Sequence, residues 1–192
     1  MDRRSFFKAA GAAAGVALID ARLGAAQTDP KVKRNAFKLK YAPHFGMFKN
    51  SAGEDPIDQL NFIADVGFRA LEDNGMKGKP VDLQQKIAAT MAKRGLEMGV
   101  FVAHTIYWDK PSLTTGDKEM LDQFLNEIRE SVEVAKRVNA KWMTVVPGFM
   151  HQRLNIDYQR ANVIDALRRA SDILEPHGLV MVLEPLNFRD HP

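Results

Sequence analysis

Strand-like apolar runs begin near residues 37, 68, 96, 141 and 179, and an amphipathic stretch of helical period follows each of the first four. Successive starts lie 31, 28, 45 and 38 residues apart, the length of βαβ units with right-handed crossovers. A helix between every pair of strands returns the chain to the same end of the sheet, so the strands must be parallel. Two architectures accept this order, a (β/α)8 barrel and a doubly wound sheet. No glycine-rich fingerprint follows the first strand, so a dinucleotide site has no support.

The individual units carry their own start and stop signals. Phe37 to Ala42 alternates apolar with basic and reads as a first strand, leading into the loop from Pro43 to Phe48. Asp55-Pro56 opens a helix whose apolar face is Ile57, Leu60, Phe62, Ile63 and Val66, and Gly67 stops it before a second strand, Phe68 to Glu72. Val81 to Arg94 is a helix closed by Gly95, and Leu96 to His104 is the third strand. Asp117 to Asn139 is the longest helix, with Leu121, Phe124, Leu125, Ile128, Val132 and Ala135 on one face, before a fourth strand from Lys141 to Val146. Ile156 to His177, with Val163, Ile164, Leu167, Ala170, Ile173 and Leu174, repeats the unit up to Gly178.

The fifth strand, Leu179 to Leu183, is continuously apolar and reads as buried on both faces, with Glu184 at its carboxyl end. A carboxylate there costs free energy unless a cation or donors meet it, and this is the end of the strands where α/β proteins bind ligands. The plain alternative is an ion-paired glutamate at a strand exit.

The run Glu184-Pro185-Leu186-Asn187, followed by Asp190 and Pro192, resembles the Glu-Pro-hydrophobic-Asn-x-x-Asp-x-Pro run of the hydroxypyruvate isomerase family, among the xylose-isomerase-like sugar isomerases and epimerases. The resemblance extends to Gly67-Phe68-x-Ala70-Leu71-Glu72 and to Val145-Val146-Pro147-Gly148. It implies an α/β fold of the (β/α)8 TIM-barrel type and decides between the two architectures. It also implies that Glu184 is both a divalent-metal ligand, for magnesium or manganese, and an acid/base residue. The conversion implied is isomerisation through an enediolate, hydroxypyruvate to tartronate semialdehyde or a related aldose–ketose step, with the metal polarising adjacent oxygens and Glu184 moving the proton.

A complete barrel needs about 250 residues, and this chain presents about five βα units in 192. In the family, three further metal ligands, an Asp, a His and a second Glu, come from strands six to eight, so those ligands are absent from this sequence. A fragment of a longer product, a damaged gene product and a half-barrel completed by another chain each account for the shortfall. Residues at the same end of the other strands are candidates for substrate contact: His44 and Phe48 after strand one, Glu72, Asp73 and Asn74 after strand two, His104, Tyr107 and Trp108 after strand three, and Asn187 beside Glu184. Polar groups beside aromatic walls suit a small polyol or keto acid. Glu72 and Asp73 as solvated loop carboxylates, Trp108 as a rim residue, and His44 and His104 as ordinary hydrogen-bonded histidines are the alternatives.

The first 26 residues stand apart. Asp2-Arg3-Arg4-Ser5-Phe6-Phe7-Lys8 is close to a twin-arginine export pattern, Ala9 to Ile19 is a weakly apolar core, and Gly24-Ala25-Ala26 offers small residues for cleavage. The expected organisation is a twin-arginine signal peptide over 1–26, a linker over 27–36 and the barrel part over 37–192, with an exported, periplasmic location. The alternative is a merely basic, frayed N-terminus. The leader holds +2 of the chain's net +3, leaving the remainder at +1. A near-neutral domain lacks the electrostatic footprint of a nucleic-acid binder, which counts against the DNA-repair enzymes of the same barrel group. The chain has no cysteine, so catalysis and metal binding fall to His, Asp and Glu. The partner expected is a small hydroxy-keto acid or sugar, with no nucleic acid and no stable membrane anchor; a homo-oligomer is compatible with the sequence. A sugar 3-epimerase and a non-catalytic, carbohydrate-binding or vestigial barrel are the competing functions.

Overall fold

The structure, a computed structural model, describes residues 36–184 and 186, all within the compact unit Val32–Pro192. The expected leader, its cleavage site, and Asn187, Asp190 and Pro192 lie outside the described residues. A short helix α1 (Lys49–Ala52) precedes α2 (Pro56–Asp65), β1 (Ala70–Leu71), α3 (Val81–Arg94), β2 (Glu97–Met98), α4 (Lys118–Val138), β3 (Trp142–Val145), α5 (Ile156–Leu174) and β4 (Val180–Leu183). No described helix is long and apolar enough to cross a membrane.

The helices begin and end where their chemistry dictates. Asp55 accepts hydrogen bonds from the N–H groups of Ile57 and Asp58 and caps α2, with Pro56 in the first turn. Asp117 does the same for α4 through Glu119 and Met120, and Asn155 caps α5 through Asp157. These bonds satisfy donors that a helix start leaves unpaired. At the other end, Gly95 closes α3 and Asn139 closes α4, both in the left-handed conformation. The apolar stripe of α4 turns Phe124, Leu125, Ile128, Val132, Ala135 and Val138 into the core, where they join Ile87 and Met91 of α3 and Ala166, Ala170 and Leu174 of α5. Ile164, expected on the buried face of α5, is exposed. It lines an open groove with Leu167 and Arg168 on that helix.

The sheet is parallel and its strands neighbour one another in chain order. β1 pairs with β2 through Ala70 to Glu97 and Leu71 to Met98. β3 pairs with β4 in register from Trp142 and Val180 to Val145 and Leu183. A parallel bridge between Val102 and Thr144 joins the two pairs, and another between His44 and Glu72 attaches the segment before α1. A doubly wound sheet requires a reversal of strand order; sequential order with helices between the strands is that of a (β/α)8 barrel, here incomplete.

Two strand expectations need correction. Residues 37–42 form no ladder: the backbone contacts are Phe37 N–H on Gly67 O, Glu72 N–H on Pro43 O and the His44 bridge, and Lys40 Nζ pairs with the Glu97 carboxylate of β2 at 2.7 Å. The segment bends at Lys38–Leu39, and Phe37 turns aside to pack on Tyr41 and Phe68. The alternation was real, but its apolar positions are largely exposed at the sheet edge. β4 is likewise not buried on both faces: Val180, Val182 and Leu183 are 42%, 40% and 47% exposed. Among the described residues only β3 pairs with it, and within β4 Met181 packs against the core while Val180, Val182 and Leu183 do not, so its apolar run lacks the cover on both faces that a central barrel strand has.

Candidate functional site

Because the strands are parallel and adjacent, their carboxyl ends bring His44, Glu72, His104 and Glu184 to one end of the sheet. Glu184 directly extends β4, donating its N–H to Val145 O at 3.1 Å, and it is exposed. Its carboxylate therefore stands at the rim, next to the strand-four exit. His44 and Glu72 are brought together by their bridge. Glu72 is half-buried, and the exposed His44 ring places Nδ1 3.1 Å from Phe45 O.

Other expected site residues are engaged elsewhere. Asp73 is buried; it accepts from Gly75 N–H at 3.1 Å, and its Oδ2, without a well-aligned hydrogen-bond donor, lies 3.0 Å from Lys79 Nζ. Lys79 in turn lies over the Phe45 ring. Asp73 is thus a turn-forming, charge-compensated residue and not an open ligand. Phe48 packs on Phe62 and Phe68, with centroids 5.4 and 5.6 Å away, so it serves the core and not the mouth. Tyr107 donates its hydroxyl to Gln123 Oε1 at 3.0 Å, and Trp108 is 53% exposed on the same loop.

His104 is buried at the end of the third strand, with its ring edge-on to Phe124 at 5.1 Å. Its Nε2 accepts the N–H of Val146 at 3.1 Å, which requires a neutral imidazole protonated on Nδ1. Burial pushes its pKa below the ordinary histidine value, against the opposing charge of Glu127. Around it, Glu127 accepts from Thr105 N–H at 2.6 Å, Thr105 Oγ1 at 2.8 Å and Gln123 Nε2 at 2.9 Å. Burial opposes charge on Glu127, but these hydrogen bonds and the positive Lys77 outweigh it and hold its carboxyl below the usual range. Ser131 Oγ and Lys77 Nζ both donate to Ala103 O, at 2.6 and 3.1 Å.

Glu127, Ser131 and Lys77 escaped the sequence reading. Ser131 carried a usable signal, because it falls three residues after Ile128 and four before Ala135, on the apolar stripe of α4. Beyond His104, the exits of strands three and four are stitched into one wall: Pro111 bridges Phe149, and Thr114 Oγ1 donates to Phe149 O at 2.7 Å. Gly148 is required here. Its φ is +110°, and a Cβ would stand 2.4 Å from Ser112 Oγ.

Sequence comparison then decides the family. The Xylose isomerase-like TIM barrel profile matches residues 60–192, more than half of the chain. The chain belongs to the xylose isomerase-like TIM barrel family. Solved structures similar to it include a family 2 AP endonuclease from Brucella melitensis, with a TM-score of 0.63 at 19% identity over 80% of this chain and 57% of that one. The 3-keto-D-glucoside 4-epimerase YcjR from E. coli gives 0.62 at 22% identity, over 78% and 57%. D-psicose 3-epimerase from Clostridium cellulolyticum H10 gives 0.62 at 12%, over 80% and 54%. This xylose isomerase-like chain spans little more than half the length of each. A comparison with curated proteins finds no match.

Divalent metals are common in the family, and such an ion needs several His, Asp or Glu donors converging on one point. Among the described residues no three His, Asp or Glu side chains gather where they could hold a metal ion. Glu184 is a single exposed carboxylate, Asp73 is committed to Lys79, and His104 offers Nε2 to a backbone N–H. The described residues do not assemble a metal centre, so no chemical step is assigned to a metal.

Proposed function

We propose that the protein is the N-terminal part of a sugar or keto-acid isomerase of the hydroxypyruvate isomerase type, in which Glu184 moves the proton. The observation that carries this reading is the position of Glu184, a solvent-reaching carboxylate at the carboxyl end of a parallel strand, in a chain whose similar solved structures include sugar epimerases. A carboxylate there can take the proton from the carbon beside a carbonyl, leaving an enediolate whose reprotonation on the neighbouring carbon completes an aldose–ketose exchange. His44, on the segment before α1, and Glu72, just after β1, would hold the substrate's hydroxyls, with Trp108 as a wall and Asn187 beside the catalytic carboxylate. The leader would carry the folded protein across the membrane by the twin-arginine route to the periplasm.

The test is proton exchange. The full chain, incubated in D2O with hydroxypyruvate and a panel of ketoses, with and without magnesium or manganese, should incorporate deuterium beside the carbonyl. Glu184→Gln should lose that exchange by at least a hundredfold, the scale of a general base. Exchange at the wild-type rate in the variant sinks the assignment. A sugar 3-epimerase would exchange without aldose–ketose conversion. The incomplete barrel, with β4 paired on one side only among the described residues, supports a second reading, a carbohydrate-binding barrel segment without turnover. It predicts saturable sugar binding and no deuterium incorporation.

A further inference from the structure

The backbone ladder between the third strand and β3 ends in an unusual way. Thr144 N–H donates to Phe101 O at 2.8 Å and Ala103 N–H to Thr144 O at 3.0 Å, as a parallel pair requires. One rung onward the same pattern calls for Val146 N–H on Ala103 O and Thr105 N–H on Val146 O. Three of those four groups instead meet side chains. Ala103 O accepts from Ser131 Oγ and Lys77 Nζ, Thr105 N–H donates to Glu127 Oε2, and Val146 N–H donates to His104 Nε2.

A buried backbone group left unpaired is costly, so two strands can part only where something else takes up their hydrogen bonds. Here α4 supplies Ser131 and Glu127, and the turn Met76–Gly78 supplies Lys77. Only Val146 N–H is served from within the sheet, by a ring the chain carries at the parting point. The adjoining peptide group continues the connection, because Val145 O accepts the N–H of Glu184 at 3.1 Å.

We propose that His104 is a positioning residue: its neutral imidazole replaces a backbone acceptor at the parting of strands three and four, and so sets the strand-four exit against which Glu184 is hung. On this view the ring is neither a substrate ligand nor a proton carrier. The geometry leaves it little choice: Phe124 of α4 fixes the ring plane, the charged groups around it are Glu127 and Lys77, and β3 presents it with the Val146 N–H. The inference rests on hydrogen-bond geometry and holds whether or not Glu184 is catalytic.

The experiment uses the 15N-labelled full chain near pH 7.5. Long-range 1H–15N correlation of the imidazole should show the neutral tautomer with the proton on Nδ1. Amide exchange should find Val146 protected in the wild type and in His104→Gln, which keeps an acceptor at similar reach. In His104→Leu it should exchange about tenfold faster, the scale of one lost hydrogen bond, with Thr144 protection unchanged and the Glu184 amide resonance displaced. An Nε2-protonated or cationic ring, or equal Val146 protection in all three proteins, overturns the proposal. If the leucine variant fails to fold, seen as loss of Thr144 protection, the wild-type tautomer and the glutamine variant decide. Loss of isomerase activity as a reading of Glu184 would leave all of these results untouched.

Discussion

At the residue scale, the depressed pKa values of His104 and Glu127 make stability depend on pH in two separate windows. His104 is held neutral by burial, so below its ordinary value of about 6.5 the unfolded chain binds a proton that the folded chain resists. Its contribution is complete above pH 6.5 and is lost as the pH falls through the lower folded value. Glu127 is held charged; its contribution is complete above the ordinary carboxylate value and is lost as the pH falls further. Urea midpoints measured from pH 8 to pH 3 should therefore decline in two steps, with His104→Gln flattening the upper step and Glu127→Gln the lower. A single decline unaffected by either substitution would contradict both attributions. The sequence made the end of strand three visible as a site and named His104, but the partner of its ring was out of reach. Val146 lies 42 residues away, and only the register of two strands brings a backbone N–H to an imidazole.

At the element scale, α4 buries more residues than any other described helix and is also the most legible element. Its stripe, its Asp117 start and its Asn139 stop all agree with the observed Lys118–Val138, because periodicity and capping are local and strong. Ile128 is fully buried at the centre of that stripe, so Ile128→Ala should cost about 2–5 kcal/mol. Asp117→Ala, which removes two capping bonds, should cost about 1 kcal/mol, both read from urea denaturation. The strands were legible only as apolar runs. Alternation at Phe37–Tyr41 describes a chain willing to be a strand, whereas a ladder also needs a neighbour. Glu127 shows the reverse limit: on a helix a glutamate reads as part of the solvated face, and only the arrival of the Thr105 loop gives it work.

At the scale of the whole molecule, five parallel segments in chain order leave β4 with one pairing partner among the described residues and with three large apolar residues well exposed. A strand of this kind is a template for further pairing. Concentration-dependent self-association should therefore appear in light scattering of the purified chain, and Val182→Lys, which places a charge on that strand, should suppress it while leaving the helical content unchanged. Equal association of the two proteins would place the contact elsewhere. A parallel α/β sheet was readable from the spacing of the units, and the barrel only from the motif resemblance. The chemistry was not, since it depends on a constellation of donors that no local pattern encodes and that the described residues do not complete.

The handing over of one rung to side chains also separates two design problems that a closed ladder would bind together. Beside His104, the groups that take up the hydrogen bonds strands three and four give up where they part are Ser131, Glu127 and Lys77, none of which lies on a strand. The parting of two neighbouring strands is accordingly open to change from the helix and the turn packed against them, without altering any residue that a strand itself carries.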